Sequence, residues 1–579
     1  MVVERNTIYE VLLRMKCVSF IGFIKEKTFR GSSYQEVFKC DLAINKKWVT
    51  TIIGIPDNWE LSLIDIYLEN KDIFIPHLEK NGKLCLYDLE GALIDSNFNG
   101  ILRQCIERAI DVIQKGIKGK NEVEFLEEFD AYFNMLENLH TGKVVIPKDK
   151  KSKIISFSEL KKDARQRKGE KQASFIQRKK KLKSTFFASS NTKDFQNWNI
   201  KAPQRKGVYI YCEPDFLIFP PDYSKYSPEK FLNQIFENLE KEELRKLIEK
   251  CGQDIFITFE IKQNNNITNC FAYFLKKACF TFEEKIKIIS AEEFIPITVK
   301  RIDKAFLQKR TSFTNNDLEN KSYLLIGAGS IGGYVFHNLI KSGCENITVV
   351  DNDLITEENI YRHLLGYNYL SEYKAVALSK YAQISMANVN IKTIEEKVEN
   401  AVIDCGLYFD EYDYIIAATG NHNVNRWINS KIVEDGIQVP VFYIWNEPLD
   451  IGSHIALFTY KADSDCFELL FKRDENGELF DITSYCEKGQ SFARTYSGCN
   501  GTFIPYGSTT SIQSSILFMD VLKMYINKGF SNDVIVSEKG SDFYFKQAGF
   551  TVSKRYLEQE DKVSISIIDI GEGRLCPYD

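Results

Sequence analysis

Tyr323-Leu-Leu-Ile-Gly-Ala-Gly-Ser-Ile-Gly-Gly333, followed by Asn346-Ile-Thr-Val-Val-Asp351, is the stretch whose reading decides the fold. An apolar strand runs into Gly327, Gly329 and Gly332. An amphipathic helix carrying Val335, Leu339 and Ile340 follows, and a second strand ends in Asp351. This is the layout of a nucleotide-binding βαβ unit. It has a tight strand-to-helix turn, close backbone approach to phosphate at a helix N-terminus, and a carboxylate placed for ribose hydroxyls.

Outward from that unit, the doubly wound pattern continues through apolar strands at 389–393, 412–417 and 439–445, alternating with helical segments. At 579 residues the chain exceeds one core, so several units are expected. The net charge of −5 does not suit a nucleic-acid binder. The fourteen cysteines form no C-x-x-C pair, which fits neither a zinc site nor a compact disulfide framework. No apolar run is long enough to span a bilayer and no signal-peptide pattern opens the sequence, so a reducing cytoplasm is the expected setting, without a membrane.

Residues 1–146 predict an α+β domain, with a first helix over 9–15, strands at 36–44 and 48–54, and helices over 100–118 and 122–140. From Pro147 to Lys183 fifteen Lys or Arg face four acids, and 147–200 reads as a basic connector; a nucleic-acid patch at Arg178 to Lys183 is the weaker reading. Residues 201–305 predict a second αβ unit, with strands at 207–211 and 254–260 and a helix over 228–251, but no glycine turn. Residues 306–579 hold the glycine-turn unit.

Behind Asp351 come Asp353, Asn359, Arg362, His363 and Lys374. This order resembles the ubiquitin-activating and thiamine/molybdopterin-type adenylating enzymes, with their D-x-D, then N-x-x-R-Q, then Lys. The resemblance implies ATP as substrate, Asp351 and Asp353 addressing the ribose and its surroundings, and Asn359, Arg362 and Lys374 holding the triphosphate. Cations there spread the charge that develops between the α- and β-phosphates. The sequence departs from the pattern twice. His363 replaces the Gln, and Gly420 stands where the family has a magnesium-binding Asp, although Arg426 and Asn429 downstream match. Mg2+ is then expected on Asp353 and the phosphates.

Such enzymes of the conjugating kind carry a cysteine that takes over the acyl group. Cys499, between Gly498 and Gly501 and ahead of a helix over 511–526, resembles it, with Cys486 and Cys576 in reserve. In the first domain Pro76-His77, Asn81-Gly82 and Leu84-Cys85-Leu86 resemble the active-site frame of ubiquitin-conjugating enzymes. Cys85 is the implied nucleophile. His77 occupies the place of the oxyanion-stabilising Asn, either donating an imidazole N–H or packing while a backbone amide serves. Asp88 and Asp95 are candidate acceptors for the proton of an attacking lysine.

An activating and a conjugating module in one chain resemble the fused proteins of bacterial cyclic-oligonucleotide-based antiphage signalling (CBASS). The fold class is accordingly α/β, with a doubly wound adenylation domain at the C-terminus, an N-terminal α+β ubiquitin-conjugating-like domain and a middle αβ pseudo-adenylation unit. The resemblance also implies a homodimer in which Arg310 reaches the neighbouring site, a cGAS-like nucleotidyltransferase whose C-terminus is the acyl donor, target-protein lysines as acceptors, and no specific nucleic acid. The basic connector would let the front domain swing. Three alternatives stand beside this: a sulfur-carrier adenylyltransferase with a docking domain, conjugation of a bacterial ubiquitin-like protein, and a non-catalytic NAD-binding scaffold or dehydrogenase.

Overall fold

The computed structural model describes residues 3–70, 72–88, 90, 93–160, 183–263, 267–309, 318–386, 389–460, 466–495, 502–528 and 533–567. The chain divides into two units, 1–307 and 308–579. Arg178 to Leu182, Arg310, Cys499 and Cys576 lie outside the described residues.

In the first unit, α1 (Arg5–Leu13) precedes an antiparallel sheet of β1 (Val18–Ile24), β2 (Glu36–Ile44), β3 (Lys47–Ile55) and β4 (Asp65–Leu68), paired in that order. Strand β2 alternates between the two faces, with Val37, Phe38, Cys40, Leu42 and Ile44 buried. Helix α2 (Phe98–Ile117) starts at Asn97, whose side chain accepts from the Gly100 N–H. It lays Leu102, Cys105, Ile106, Ala109 and Ile113 into the same core as β2 and β3. Each larger side chain buried in this way stabilises by roughly 1.5–3 kcal/mol.

The helix expected over 122–140 is two short ones, α3 (Glu124–Glu127) and α4 (Phe129–Phe133), followed by strand β5 (His140–Val144). Phe129 and Phe133 pack on the outer, helix-covered face of a closed barrel, in one cluster with Phe271 and Tyr273, and Asn269 Nδ2 donates to the Leu126 carbonyl at 2.7 Å.

That barrel corrects two expectations. Its strands are β5, β6 (Lys153–Leu160), β7 (Thr185–Ser189), β8 (Arg205–Cys212), β9 (Ile255–Lys262), β10 (Thr268–Lys276) and β11 (Glu293–Arg301), closing in the order β8-β9-β10-β11-β5-β7-β6. The stretch 147–200, expected as a connector, thus supplies two strands. Its basic composition hid the inward Ile155, Phe157, Phe186 and Ala188, which are buried in the barrel. The middle unit is therefore not confined to 201–305, and it is a mixed barrel flanked by α5 (Pro228–Phe236) and α6 (Lys241–Ile248). The front domain also touches this barrel unit: Phe74 meets Tyr223 edge-on at 5.7 Å.

The second unit is the doubly wound pattern. Strand β12 (Ser322–Ile326) lies inside an eight-stranded sheet ordered β14-β13-β12-β15-β16-β17-β18-β19. These are β13 (Asn346–Val350), β14 (Asn390–Ile394), β15 (Tyr414–Ala417), β16 (Val441–Asn446), β17 (Gly452–Phe458), β18 (Val534–Lys539) and β19 (Val563–Ile567). The first five in the order are parallel and the last three antiparallel. Helices α7 (Ser330–Lys341), α8 (Lys374–Ser385), α9 (Val398–Asp404), α10 (His422–Glu434) and α11 (Ser508–Lys528) accompany it. The chain order reverses at β12, and the crevice beyond β12 and β15 is where such sheets take ligands. No helix among the described residues is long and apolar enough to cross a membrane.

Candidate active site

A cavity of about 320 Å³ opens at the carboxyl ends of β12, β13 and β15. Its walls include Gly327, Asp351, Asp353, Lys397, Glu399 and Thr419. The turn that forms it is fixed by backbone contact. Gly327 has φ +92°, its N–H donates to the Val350 carbonyl at 2.9 Å, and a Cβ there would stand 2.6 Å from the Ala418 carbonyl oxygen. Gly332, one turn on, would place a Cβ 1.9 Å from the Gly327 carbonyl oxygen. Gly329 differs: a Cβ would meet nothing within 4 Å, which leaves open space at the N-terminus of α7 where a phosphate can approach.

The acids and cations expected there gather, but several are engaged with one another. Asp351 accepts from the Ala328 N–H at 2.6 Å and from the Asp353 N–H at 2.8 Å, so its carboxylate also ties the turn to the following loop. Burial raises its carboxyl above the ordinary value, opposed by Lys374 and these two amides. Lys374, 9% exposed at the start of α8, holds Asp353 Oδ2 at 2.8 Å. Asn359 is spent locally, its side chain accepting from the Thr356 N–H at 3.2 Å. Arg362 lies over the Tyr506 ring, 5.6 Å from its centroid.

The two departures acquire physical meaning. His363 is buried, with Nε2–H donating to the Ala328 carbonyl at 2.7 Å and Nδ1 accepting from the Leu365 N–H at 3.0 Å. Desolvation lowers its pKa, so a neutral imidazole braces the glycine turn much as an amide side chain would. Gly420 has φ +65° and presents no carboxylate. Among the described residues no cluster of three or more His, Cys, Asp or Glu is arranged to hold a metal. Asp353 remains solvent-facing, its side chain 63% exposed, and is the carboxylate that would hold magnesium, which keeps waters and needs few protein ligands. Arg426 and Asn429 serve the fold instead: Arg426 forks onto Glu468 at 2.5 and 2.6 Å, while buried Asn429 accepts from the Phe467 N–H at 2.9 Å.

Sequence reasoning missed Tyr506, whose hydroxyl meets Ser330 Oγ, the first residue of α7, at 2.8 Å. Arg494 pairs with Phe503 and Thr495 with Thr502, and Tyr506 lies against the glycine turn through Ser330. Cys486, the reserve candidate, is only partly buried but donates to Glu447 Oε2 at 3.2 Å. Burial and the Glu447 carboxylate push its thiol well above the ordinary value, the opposite of activation.

The first unit brings together Cys85 and His77. Leu84 and Leu86 are buried while Cys85 is exposed, so the cysteine between two leucines does not belong to the core. The Cys85 N–H donates to the His77 carbonyl at 2.8 Å and Leu84 N–H to Ile66 at 2.9 Å, which moors this loop to β4. His77 takes a left-handed conformation, φ +64°, with its own N–H donating to the Tyr132 hydroxyl at 2.5 Å. Both its ring nitrogens are occupied: Nε2 lies 2.9 Å from Glu124 and Nδ1 3.0 Å from Glu128. The Cys85 thiol, then Glu128 and Glu124, raise its pKa to about 10 against the cost of burial. Asp88 and Asp95 each cap a local backbone N–H, of Glu90 and Asn97. The two glutamates were legible only as an i, i+4, i+8 series with Tyr132, which nothing local linked to His77.

Two family models match separate parts of the chain. Residues 304–557 match the ThiF family, and residues 23–141 match the prokaryotic E2 family B. An ATP-dependent ubiquitin transferase-like protein Cap2 of Pseudomonas aeruginosa is 27% identical over 237 residues, 40% of this chain and 41% of that one. A protein of the same name from Escherichia coli is 20% identical over 504 residues, 79% of this chain and 82% of that one. The chain thus spans about two fifths of the first relative's length and more of the second's. A crystal structure of E. coli MccB with MccA-N7isoASN aligns at a TM-score of 0.31 and 15% identity, over 43% of this chain and 65% of that one.

Proposed function

We propose, from the premise that one polypeptide joins a prokaryotic E2 family B domain to a ThiF-family domain, that this protein is an ATP-dependent ligation enzyme. It activates a protein C-terminus and conjugates it to amines. The observation that carries the reading is the pair of sites on one chain: a glycine-turn cavity lined by Asp351 and Asp353 with Lys374 beside it, and an exposed Cys85 beside His77.

The donor carboxylate attacks the α-phosphorus of ATP over Gly327 to Gly332, and pyrophosphate leaves while Arg362 and Lys374 offset its charge. Mg2+ on Asp353 and the phosphates would neutralise the developing negative charge. The Cys499 thiolate attacks the acyl carbon and AMP departs. Cys85 takes the acyl group by transthiolation, and an amine attacks that thioester, forming an amide and releasing the Cys85 thiolate. Arg310 would act at a neighbouring subunit's site in a homodimer. On the resemblance to CBASS fusion proteins, the donor is the C-terminus of a cGAS-like nucleotidyltransferase and the acceptors are lysines of target proteins.

Mass spectrometry of the oxyester trapped on Cys85→Ser, after incubation with ATP and a co-purified nucleotidyltransferase, tests this. The nucleotidyltransferase C-terminal peptide on residue 85 is the expected product. Conjugates that form undiminished in Cys85→Ala would instead leave the front domain a docking module and end the reading.

A further inference from the structure

Around His77 the first unit concentrates more charge than the Cys85 frame requires. Glu124, on α3, and Glu128, at the start of α4, bracket the imidazole from both sides at 2.9 and 3.0 Å. Each carboxylate is itself fixed: Asn121 Nδ2 donates to Glu124 at 2.7 Å, and the Tyr132 hydroxyl donates to Glu128 at 3.0 Å. Tyr132 in turn receives the His77 N–H and is buried between Phe74 and Phe125. The His77 ring is only 17% exposed and the glutamates 39% and 34%, so this is a built cluster at the rim of the exposed thiol rather than a solvated ion pair.

A neutral imidazole has one N–H and can satisfy one carboxylate; only the doubly protonated ring donates to both. We propose that Glu124 and Glu128 are positioning residues that hold His77 as a fixed imidazolium beside Cys85, so that acyl transfer at this cysteine proceeds against a permanent positive charge. The proposal rests on the reading of Cys85 as the acyl carrier. With Glu124 and Glu128 at its two ring nitrogens and the Cys85 thiol also within hydrogen-bond reach, His77 acts chiefly through its charge.

The chemistry needs such a charge twice. When an amine nitrogen attacks the thioester carbon, the C=O electron pair moves onto oxygen. When the tetrahedral species collapses, the C–S bond breaks and its pair leaves on the Cys85 sulfur. The proton lost by the nitrogen passes to water. Negative charge therefore appears first on the oxygen and then on the sulfur, and a cation held in place stabilises both without reorganising. Groups facing the ring are Cys85, Glu124 and Glu128, all of which raise its pKa, while Tyr132 takes the backbone N–H. The raised pKa agrees with the geometry: the ring keeps its charge throughout the neutral range.

The test uses the full chain with histidine labelled at Cε1. Cys85 is acylated by exchange with the mercaptoethanesulfonate thioester of N-acetylglycine, with Cys85→Ala as blank. Discharge to hydroxylamine is followed on the Cys85 peptide by mass spectrometry between pH 5.5 and 8.5. The wild-type His77 resonance is expected to stay in its charged position up to pH 9. In Glu124→Gln/Glu128→Gln its titration should move down toward the ordinary value of about 6.5, the Cys85 contribution remaining in the unacylated protein. Discharge of the double variant at pH 8 should be slower by roughly tenfold to a hundredfold, below the loss expected for removing an oxyanion donor outright. That deficit should close below pH 6, where both proteins carry the imidazolium; a merely structural role would leave it constant. The single Gln variants serve if the double variant loses its folded spectrum. A wild-type His77 that titrates near 6.5, or a rate ratio independent of pH, overturns the proposal. If Cys85 accepts no acyl group, the carrier reading fails, while the resonance still decides whether the two glutamates hold the charge.

Discussion

Gly332→Ala is the substitution whose consequence follows most directly from the geometry. The added Cβ would lie 1.9 Å from the Gly327 carbonyl oxygen, a backbone atom that cannot rotate away. A carbon-to-oxygen contact needs about 3.3 Å, so the turn must open by roughly 1.4 Å. Gly327 cannot yield freely, because its N–H is bonded to Val350 and its Cα faces the Ala418 carbonyl. Overpacking of this kind costs about 1–3 kcal/mol. In a unit of this size that lowers Tm by roughly 2–4 °C per kcal/mol, hence by about 6–12 °C at the upper end. A phosphate cradle displaced by more than an ångström should weaken ATP binding by about a hundredfold. Calorimetry with Mg-ATP and thermal unfolding of the full chain measure both effects. Gly329→Ala is the internal control: its Cβ meets nothing and its φ of −76° suits alanine, so the unliganded Tm should stay within about 1 °C. Any loss of ATP affinity in that variant then reports the open space at α7 directly. A Gly332→Ala protein with wild-type Tm and ATP affinity would refute the reasoning.

His363 is held neutral in the fold, its pKa depressed by burial, whereas the unfolded chain binds a proton as pH falls through about 6.5. Stability should therefore decline between pH 7 and 5. His363→Gln should flatten that decline, which unfolding at pH 7.5 and 5.5 measures; an unchanged slope would exclude this ring as the cause. Lys374→Met removes the cation that holds Asp353 at 2.8 Å and should weaken ATP binding by about tenfold to a hundredfold, the range for a charged hydrogen bond. Binding within twofold of wild type would place Lys374 outside the nucleotide site. Cys486→Ser should leave ATP-dependent thioester formation intact, since burial and Glu447 keep that thiol protonated, whereas Cys499→Ala should abolish it on non-reducing gels. The reverse pattern would move the acyl acceptor to Cys486.

The sequence by itself determined whatever depends on neighbours in the chain. The strands β12, β13 and β15, the glycine turn and the acid at 351 are local patterns of apolar runs and backbone freedom, and they stand where the spacing placed them except that β15 starts two residues later. The frame around Cys85 is local too, and alternation of Leu84, Cys85 and Leu86 across one strand-like segment explains why the thiol faces outward. Only the tertiary structure decided what distant segments do to each other. Strands from the basic stretch close a barrel because Phe157 and Phe186 find Phe256 and Phe274 across it, contacts that charge density along the chain conceals. His363 in place of an amide is interpretable only once the Ala328 carbonyl is seen at 2.7 Å. Glu124 and Glu128 reach His77 only because α3 and α4 are pinned between the front domain and that barrel. Periodicity and turn chemistry are written residue by residue, whereas a buried charge cluster exists only where packing brings its members within reach.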